Sequence, residues 1–360
     1  MKILQVNKLY APEIGGVETI VKDIAEGLHT DVLVCQRKGR SAQETIHGIN
    51  ITRAATLGTW LSMPVSIDFF RRYRRMAQNA DIVQLHAPFP LADLAVWLFG
   101  CKGKLVVWWH SDIVRQKTAA KVLAPILHNT LKRADAIIVA AKENLTSSAF
   151  LPRYADKCTV IPYGLDLAAY ENFGETDFLT KRLHRPSAKK LLFVGRLVYY
   201  KGIDVLLEAM KGVECAELFV VGSGPMERLP SNNVHFLGAL PRESLLSAFH
   251  DCDLLVFPSC ANSEAFGITQ LEAMYYGKPV INTQLPTAVP WVSVHGETGL
   301  TVPVGDSDAL QGAILQLTRD DDLRHYYGKN AANRVRSVFD GRHMLDKLYT
   351  HYKKILGIYS

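Results

Sequence analysis

The stretch KLLFVGRLVYYKGIDVLLEA, residues 190–209, contains the alternation that sets the fold class. Its first six residues form a short apolar run ending in glycine, which is typical of a buried strand, and a helical pattern opens at Lys201-Gly202. Similar strands alternate with helical segments along all 360 residues, which predicts parallel α/β sheets. At this length two domains are the expected organisation.

The predicted strands form two groups separated by a polar connector at 164–188. The first group comprises 2–7, 31–36, 81–86, 104–110, 136–141 and 157–162, with helices such as 17–28 and 119–134 between them. The second comprises 190–195, 217–222, 234–238, 253–258, 279–283 and 299–303, followed by a helical region at 322–357 that is interrupted near 339–341. We therefore predict two doubly wound Rossmann-like domains, 1–165 and 166–342, facing a central cleft, with a C-terminal helix at 343–360 packing back on the first domain.

Composition excludes several classes of protein. The chain is 48% hydrophobic and 21% charged, as in ordinary globular proteins, and no apolar run approaches the roughly 20 residues that span a bilayer. The N-terminal apolar run is too short for a signal peptide and is typical of a first strand. Six cysteines without CxxC spacing predict reduced thiols in the cytoplasm, neither disulfides nor a zinc site.

Charge separates the two halves of the chain. Residues 1–165 carry a balance of +8 and residues 166–360 a balance of −2. The basic half contains FFRRYRR at 69–75, where Phe69 and Tyr73 are helical neighbours that could share one edge with four arginines. Such an edge suits an anionic membrane surface, whereas no nucleic-acid module is recognised. The alternative is that the aromatic residues pack in the core and the arginines are solvated.

Two cations follow the first strand of the second group. Arg196 comes directly after residues 190–195, and Lys201 stands where the next helix opens. Ligands of open α/β sheets bind beyond the carboxyl ends of the strands, so two cations beside helix N-termini predict a diphosphate site. The alternative is that both are surface cations. Ser223-Gly224-Pro225 and a proline-rich loop at 284–290 follow neighbouring strands, and the glycine turn lets a ligand approach the backbone.

The segment SEAFGITQLEAMYYGKPVI, residues 263–281, adds two acids. Glu264 precedes a short predicted helix that begins near Gly267, and Glu272 lies inside it on the apolar side. Carboxylates repel phosphate but accept paired hydrogen bonds from vicinal hydroxyls, which a ribose and a hexose both offer. A diphosphate between two polyols is a nucleotide sugar. The alternatives are that Glu272 is buried against an internal arginine and that Glu264 stabilises the helix N-terminus through its dipole.

The run E-A-F-G-I-T-Q-L-E, with Arg196 and Lys201 upstream, resembles the E-x7-E signature of retaining glycosyltransferases of family 4, which have the GT-B fold. The resemblance covers nearly the whole chain, including NKLYAPEIGGVE, WWHSDIVRQK and VIPYGLD. Within the family, the sequences of these motifs are most similar to those of bacterial mannosyltransferases of O-antigen and exopolysaccharide assembly. It implies GDP-mannose as donor, a lipid-linked polyprenyl-diphosphate saccharide as acceptor, and a peripheral place at the cytoplasmic face of the inner membrane.

The resemblance also implies roles for individual residues. Arg196 and Lys201 match the pair that neutralises the donor diphosphate, Glu264 the acid beside the hexose hydroxyls, and Glu272 the acid that holds the ribose. His110 matches a histidine near the reacting carbon and the sugar 6-hydroxyl. Further substrate-binding positions are implied in the loops that face the donor or acceptor: Gly15, Gly16, Gly195, Gly222, Gly224, Ala265, Phe266, Gly267 and Ile268.

Several residues have an alternative, structural role to be weighed against a functional one. His110 ends an apolar strand, so a core histidine or a cap of the next helix is the alternative to a catalytic role. Asp112 is expected to cap that helix, with acceptor binding as the minor alternative. Asp251-Cys-Asp253 has the D-x-D form of metal-dependent transferases, but it precedes a strand and is predicted to be structural. Asp320 is predicted to cap a helix or carry surface charge.

With two cations at the phosphates, neither a metal nor another cofactor is expected. Rival functions are a family 4 transferase that uses a UDP- or dTDP-sugar, a sugar-nucleotide epimerase or phosphorylase of the same fold, and a non-catalytic nucleotide-sugar sensor. The presence of every expected site residue disfavours the sensor.

Overall fold

The computed structural model describes residues 1–13, 15–60, 63–112, 117–226 and 232–358. The chain forms two compact units, Met1–Tyr163 together with Gly341–Ser360, and Gly164–Asp340. The boundaries predicted from the sequence fall two residues later at each junction.

The secondary structure contains all twelve predicted strands, with four more in the first unit. Strands of the first unit are β1 (Ile3–Val6), β2 (Asp31–Cys35), β3 (Ala42–Ile46), β4 (Ile49–Ala54), β5 (Gly58–Trp60), β6 (Met63–Val65), β7 (Ile82–Ala87), β8 (Lys104–Trp109), β9 (Ala136–Val139) and β10 (Cys158–Val160). Those of the second are β11 (Lys189–Val194), β12 (Ala216–Val221), β13 (Val234–Gly238), β14 (Leu254–Phe257), β15 (Val280–Thr283) and β16 (Gly299–Val302). The helices are α1 (Gly16–Leu28), α2 (Ile67–Ala77), α3 (Pro90–Phe99), α4 (Lys117–Arg133), α5 (Lys142–Ser147), α6 (Ile203–Met210), α7 (Arg242–Asp251), α8 (Ile268–Tyr275), α9 (Val289–Val292), α10 (Ser307–Arg319), α11 (Asp321–Val338) and α12 (Gly341–Ile355).

The first unit is built on an eight-stranded sheet in the order β10-β9-β8-β7-β1-β2-β4-β3. All neighbours are parallel except β3, which runs antiparallel to β4. Strand β7 is buried along its whole length, as expected of a parallel strand covered on both faces. Its sequence therefore shows a continuous apolar run instead of alternation.

The sequence reading missed β3 and β4. Strand β3 is an edge strand with three exposed central residues, so AQETI lacks the apolar pattern that identifies a buried strand. The sequence feature that could have identified the hairpin is the His47-Gly48 pair between the two strands. Both residues have positive φ, 49° and 80°, which fits the two-residue turns favoured in hairpins. Strands β5 and β6, which were also missed, form a separate antiparallel pair.

The second unit has a fully parallel six-stranded sheet in the order β13-β12-β11-β14-β15-β16. The order runs outward in one direction through β11, β12 and β13 and in the other through β14, β15 and β16. The topological switch point therefore lies between β11 and β14, and in open α/β sheets this is where ligands bind.

Helix α2 carries the FFRRYRR segment, and its aromatic residues contradict the predicted membrane-facing edge. Phe69 and Tyr73 are fully buried in the core of the first unit, and Phe70 packs against it. Arg72 pairs with Asp68 at 2.6 Å, while Arg71, Arg74 and Arg75 are exposed. The alternative prediction, that the aromatic residues pack in the core, is therefore correct. Their side chains lie on the face of α2 opposite to most of its arginines.

The two D-x-D acids are structural, as predicted. Asp251 accepts hydrogen bonds from the backbone N–H groups of Leu179 and Thr180 at 2.6 and 2.7 Å and pairs with Lys190 at 2.8 Å. Asp253 accepts the N–H of Lys190 at 2.7 Å. Asp320 caps α11 by accepting the N–H of Leu323 at 2.8 Å, which confirms the capping reading.

The C-terminal helix α12 belongs to the first unit. Leu345 packs so closely on Gly27 that a Cβ there would lie 2.3 Å from its Cδ1, and the Tyr352 hydroxyl donates to the Gln84 side chain. All six cysteines are free. Among the helices that the structure describes, none is long and apolar enough to cross a membrane.

Candidate active site

Lys201 and Glu264 meet at the switch point of the second sheet. Lys201 follows β11 and Glu264 follows β14, and the Lys201 Nζ lies 2.5 Å from the Glu264 Oε2. Their side chains are only 13% and 12% exposed. The Ser259 hydroxyl donates to the same Oε2 at 3.3 Å. Two residues that the sequence assigned to different parts of a donor therefore form one ion pair.

The turn after β11 folds Lys201 back toward the sheet. Tyr199–Lys201 form a short 3₁₀ turn, and Gly202, with φ of 71°, is the N-cap residue before α6. A Cβ on Gly202 would lie 1.9 Å from the Pro258 carbonyl oxygen, so only glycine fits there. Arg196 is exposed and donates from Nη2 to the Tyr200 hydroxyl at 2.8 Å, which leaves most of its guanidinium donors facing solvent.

The glycines after β11 and β12 serve close packing between neighbouring loops. A Cβ on Gly222 would lie 1.9 Å from the Gly195 carbonyl oxygen, and one on Gly224 would lie 2.4 Å from that of Leu197. The sequence predicted that a ligand approaches the backbone at these glycines. In the structure it is a neighbouring loop of the same chain that approaches them. This contact draws the two turns together beside Lys201, whose Cε lies 3.4 Å from a Cβ built on Gly195.

The loop that carries Glu264 is held by the proline-rich loop after β15. The Thr287 hydroxyl donates to the Glu264 carbonyl at 2.9 Å, and the Ala288 N–H donates to the Ala265 carbonyl at 3.1 Å. Beneath it, the buried Gln270 side chain donates to the Phe266 carbonyl at 3.1 Å. Gly267 is the N-cap residue of α8, which begins at Ile268, so the helix starts where the sequence predicted, near Gly267. Substrate contacts by the backbone of Ala265, Phe266, Gly267 and Ile268 stay predictions.

Glu272 lies in α8 and has an arginine partner, but the side chain of this arginine is 49% exposed and is not the internal residue of the alternative hypothesis. Arg242 donates from Nη1 to its Oε1 at 2.9 Å, and the Tyr170 hydroxyl donates to the same oxygen at 3.0 Å. Burial raises the pKa of Glu272, and the two donors oppose that rise. The sequence analysis did not identify Arg242 and Tyr170 as partners of Glu272, because they lie 30 and 102 residues from it along the chain.

His110 stands at the end of β8 in the first unit, inside a buried chain of polar side chains. Its Nε2 hydrogen-bonds with the Nδ1 of His86 at 2.8 Å, and its Nδ1 with the Tyr163 hydroxyl at 2.5 Å. His86 continues the chain to the Gln5 side chain at 2.9 Å. Burial lowers the pKa of His110 to about 3, so the ring is neutral at physiological pH. Both ring nitrogens are thus occupied by protein groups.

Asp112 holds the segment that follows α5. Its carboxylate accepts the Ser148 hydroxyl at 2.6 Å, the Ala149 N–H at 2.7 Å and the Trp109 indole N–H at 2.9 Å. These bonds join the end of β8 to the segment after α5. Residues 113–116, which precede α4, lie outside the described residues, so the predicted cap of that helix stays a prediction.

Helix α1 begins at Gly16, one residue before the start predicted from the sequence, and Gly15 precedes it. Gly15 is extended and its carbonyl accepts the N–H and hydroxyl of Thr19, both at 3.0 Å. The Glu18 carboxylate lies over Gly15, with Oε2 2.2 Å from where a Cβ would stand. The helix N-terminus is therefore covered by an acid of its own first turn, which an anionic ligand would have to displace.

One group in the second unit has the chemistry of a metal site. The ligand atoms of His184, Glu217 and His235 all lie within 4.8 Å of one another. The Glu217 carboxylate, however, accepts the backbone N–H groups of His184 and Arg185 at 3.0 and 2.8 Å, the Arg185 Nε at 3.3 Å and the His235 ring at 2.7 Å. Four donors use the full acceptor capacity of a carboxylate, so we interpret the group as a hydrogen-bonded tether for the connector.

The chain is similar to known glycosyltransferases over nearly its whole length. Residues 14–169 match the family described as Glycosyltransferase Family 4, and residues 175–334 match Glycosyl transferases group 1. The D-rhamnosyltransferase WbpZ of Pseudomonas aeruginosa is 33% identical over 94% of this chain and 92% of its own length. The chain belongs to glycosyltransferase family 4. The O-antigen chain mannosyltransferase C of Escherichia coli is 29% identical to this glycosyltransferase over 99% of both chains.

Solved structures show that the family 4 glycosyltransferase has the predicted GT-B fold. Sucrose-phosphate synthase from Thermosynechococcus elongatus superposes with a TM-score of 0.80 at 20% identity, covering 99% of this chain and 100% of that one. Anabaena Alr3699/HepE in complex with UDP-glucose gives 0.79 at 19% identity, covering 98% and 100%.

Proposed function

We propose that this glycosyltransferase transfers mannose from GDP-mannose, with retained anomeric configuration, to a lipid-linked saccharide in O-antigen, capsule or exopolysaccharide assembly. The observation that carries the donor class is the Lys201–Glu264 pair at the switch point, because it presents a cation and an acid where ligands of such sheets bind. The similarity to an O-antigen chain mannosyltransferase supports the sugar and the pathway type.

In this proposal a nucleotide sugar replaces the internal ion pair by two external interactions. The donor diphosphate takes Lys201 and the exposed Arg196, and the hexose hydroxyls take Glu264. Lys201 and Arg196 then stabilise the charge that develops on the departing diphosphate. That diphosphate accepts the proton of the incoming hydroxyl, since no side chain is assigned as a dedicated base, and positioning supplies the rest of the rate enhancement.

A 6-deoxyhexose donor is the second candidate, and His110 favours it. Both ring nitrogens of His110 are engaged with His86 and Tyr163, so neither stands ready to bind a sugar 6-hydroxyl. D-Rhamnose is 6-deoxymannose, and a relative at 33% identity is a D-rhamnosyltransferase. UDP- and dTDP-sugars remain the wider alternatives.

Donor screening tests these assignments. Thermal shift against GDP-, UDP- and dTDP-sugars should reveal the donor nucleotide, because a ligand far above its Kd raises stability. Turnover of GDP-mannose and GDP-D-rhamnose, each with and without a polyprenyl-diphosphate saccharide, then identifies the sugar. Stabilisation by a UDP- or dTDP-sugar alone would overturn the GDP assignment.

A lipid-linked acceptor implies peripheral attachment to an anionic membrane at its cytoplasmic face, and the exposed side of α2 supports it. Arg71, Arg74 and Arg75 are exposed, and Ile67, 69% exposed, lies one turn before Arg71. Cations near an anionic surface contribute about 1 kcal/mol each. Co-sedimentation with vesicles should require anionic lipid, weaken with salt and fall when these three arginines become serine. Unchanged sedimentation of the triple variant would exclude α2 as the docking surface.

A further inference from the structure

We propose that Arg242, together with Tyr170, is a positioning residue for the donor: it holds Oε1 of Glu272 so that Oε2 accepts the ribose hydroxyls of the nucleotide. The inference rests on the proposed function, since it takes Glu272 as the ribose-binding acid. It assigns a task to an arginine and a tyrosine that stand outside the E-x7-E and R-x4-K motifs.

The two protein donors share one oxygen of the carboxylate. The Arg242 Nη1 and the Tyr170 hydroxyl lie 2.9 and 3.0 Å from Oε1. Among the described residues no donor binds Oε2, and the Glu272 side chain keeps 13% of its surface exposed. A carboxylate oxygen has two lone pairs, so Oε1 is filled and Oε2 can accept both hydroxyls of a vicinal diol.

The arrangement is placed where ribose would arrive. Arg242 is the first residue of α7, directly beyond the carboxyl end of β13, and Glu272 lies in the helix that follows β14. The guanidinium lies 4.4 Å from the centre of the Tyr170 ring, a cation–π contact. The Tyr170 carbonyl in turn accepts the Tyr276 hydroxyl at 2.6 Å. Arg242 thus contacts both Glu272 and the Tyr170 ring, and Tyr170 is held in addition by Tyr276, although the Arg242 side chain keeps 49% of its surface exposed.

The positive charge of Arg242 also acts on the protonation of Glu272. Burial raises the pKa of Glu272, and Arg242 is the group that lowers it most. The titratable groups that face the carboxylate are Arg242 from α7, Tyr170 from the connector and Tyr276 after α8. Removal of the arginine should therefore raise the pKa of Glu272 further and favour its neutral form, and a neutral carboxyl is a weaker acceptor for hydroxyls.

Binding of nucleoside diphosphates with and without the ribose hydroxyls tests the inference. We would measure Kd of the full chain by calorimetry for GDP, UDP and their 2′,3′-dideoxy analogues. Wild type should prefer the ribonucleotide by about tenfold or more, as expected for hydrogen bonds to a charged group. Glu272→Gln and Arg242→Gln should each lose most of this preference, Tyr170→Phe should lose part, and Arg242→Lys, which keeps a charged donor, should restore much of it.

The controls separate positioning from a general loss of binding. Lys201→Ala should weaken the ribo- and dideoxynucleotides alike and keep their ratio, and Arg319→Gln, at an exposed arginine of α10, should change neither. In Arg242→Gln the preference should recover as pH rises, and any pH dependence should lie at higher pH than in wild type, because the arginine lowers the pKa of Glu272. Such a recovery is not expected of a purely structural defect.

The outcomes separate the two proposals. If wild type shows no preference for the ribonucleotide, Glu272 does not bind ribose and the proposed function of this acid fails. If wild type discriminates and Glu272→Gln abolishes the preference while Arg242→Gln retains it at every pH, the positioning role alone is overturned. Should Arg242→Gln fail to fold by circular dichroism, the same comparison between Arg242→Lys and Tyr170→Phe decides the question.

Discussion

Lys201→Ala should damage this glycosyltransferase in two separable ways. In the free protein it leaves Glu264, 12% exposed, with the Ser259 hydroxyl at 3.3 Å as its one side-chain partner among the residues that the structure describes. A largely buried group that loses its partner costs about 1–3 kcal/mol of unfolding free energy. Loss of a preorganised cation beside the departing diphosphate should add about 2–4 kcal/mol to the activation barrier, a rate decrease of up to about a thousandfold.

The double variant Lys201→Ala/Glu264→Gln separates the two effects. Glutamine removes the unpaired charge, so the double variant should regain much of the stability that Lys201→Ala loses, yet turnover should stay low. Urea unfolding of the free protein reports stability, and donor turnover with acceptor reports catalysis. Lys211→Ala is the matched control, because that lysine is 71% exposed and its ion pair with Glu208 should contribute little.

Two results would refute this reasoning. Near-normal turnover of folded Lys201→Ala would mean that the lysine does not serve the diphosphate. A double variant that is no more stable than Lys201→Ala would mean that Glu264 is not left unpaired, and that the ion pair has no energetic weight in the free protein.

Three further predictions follow from the same structure. Glu264→Gln should lower turnover more than Glu272→Gln, which should mainly raise the Michaelis constant for the donor; separate kcat and KM values in the opposite order would mean that the roles are exchanged. EDTA should leave turnover intact, since Arg196 and Lys201 supply the positive charge at the diphosphate, and activity that returns only with magnesium or manganese would contradict this. Burial raises the pKa of Asp93 from 3.8 to about 7. Between these two pH values the folded protein therefore holds a proton on Asp93 that the unfolded chain has lost. Its contribution to stability is full below about pH 4 and is lost as pH rises through 7, by up to about 4 kcal/mol; urea unfolding between pH 4 and 8 should show that Asp93→Asn removes this dependence, and parallel pH curves for variant and wild type would exclude it.

Strand positions were predictable because each parallel strand is a short apolar run followed by a polar loop. All six strands of the second sheet were found with ends within one residue of those observed. Strand β3 was missed because an edge strand needs little apolar surface, and its pairing depends on a turn instead of on burial. Strand β4 is internal and buried at five of its six positions, but Asn50, Thr52 and Arg53 interrupt the apolar run by which a buried strand is recognised. Helix α2 illustrates the converse limit, since FFRRYRR fits either a membrane edge or a core face until a neighbouring layer covers Phe69 and Tyr73.

The sequence by itself determined the two-sheet α/β organisation, the structural role of Asp251 and Asp253, and the presence of Lys201 and Glu264 in loops at one edge of a sheet. These properties depend on residues close together along the chain and on the rule that parallel strands present their carboxyl ends together. Only the tertiary structure decided which side chains meet. Strand order set Lys201 against Glu264 across the switch point, and folding brought Arg242 and Tyr170 to one oxygen of Glu272. Contacts between residues 30 to 102 positions apart leave no local pattern, because their geometry arises from packing and not from spacing along the chain.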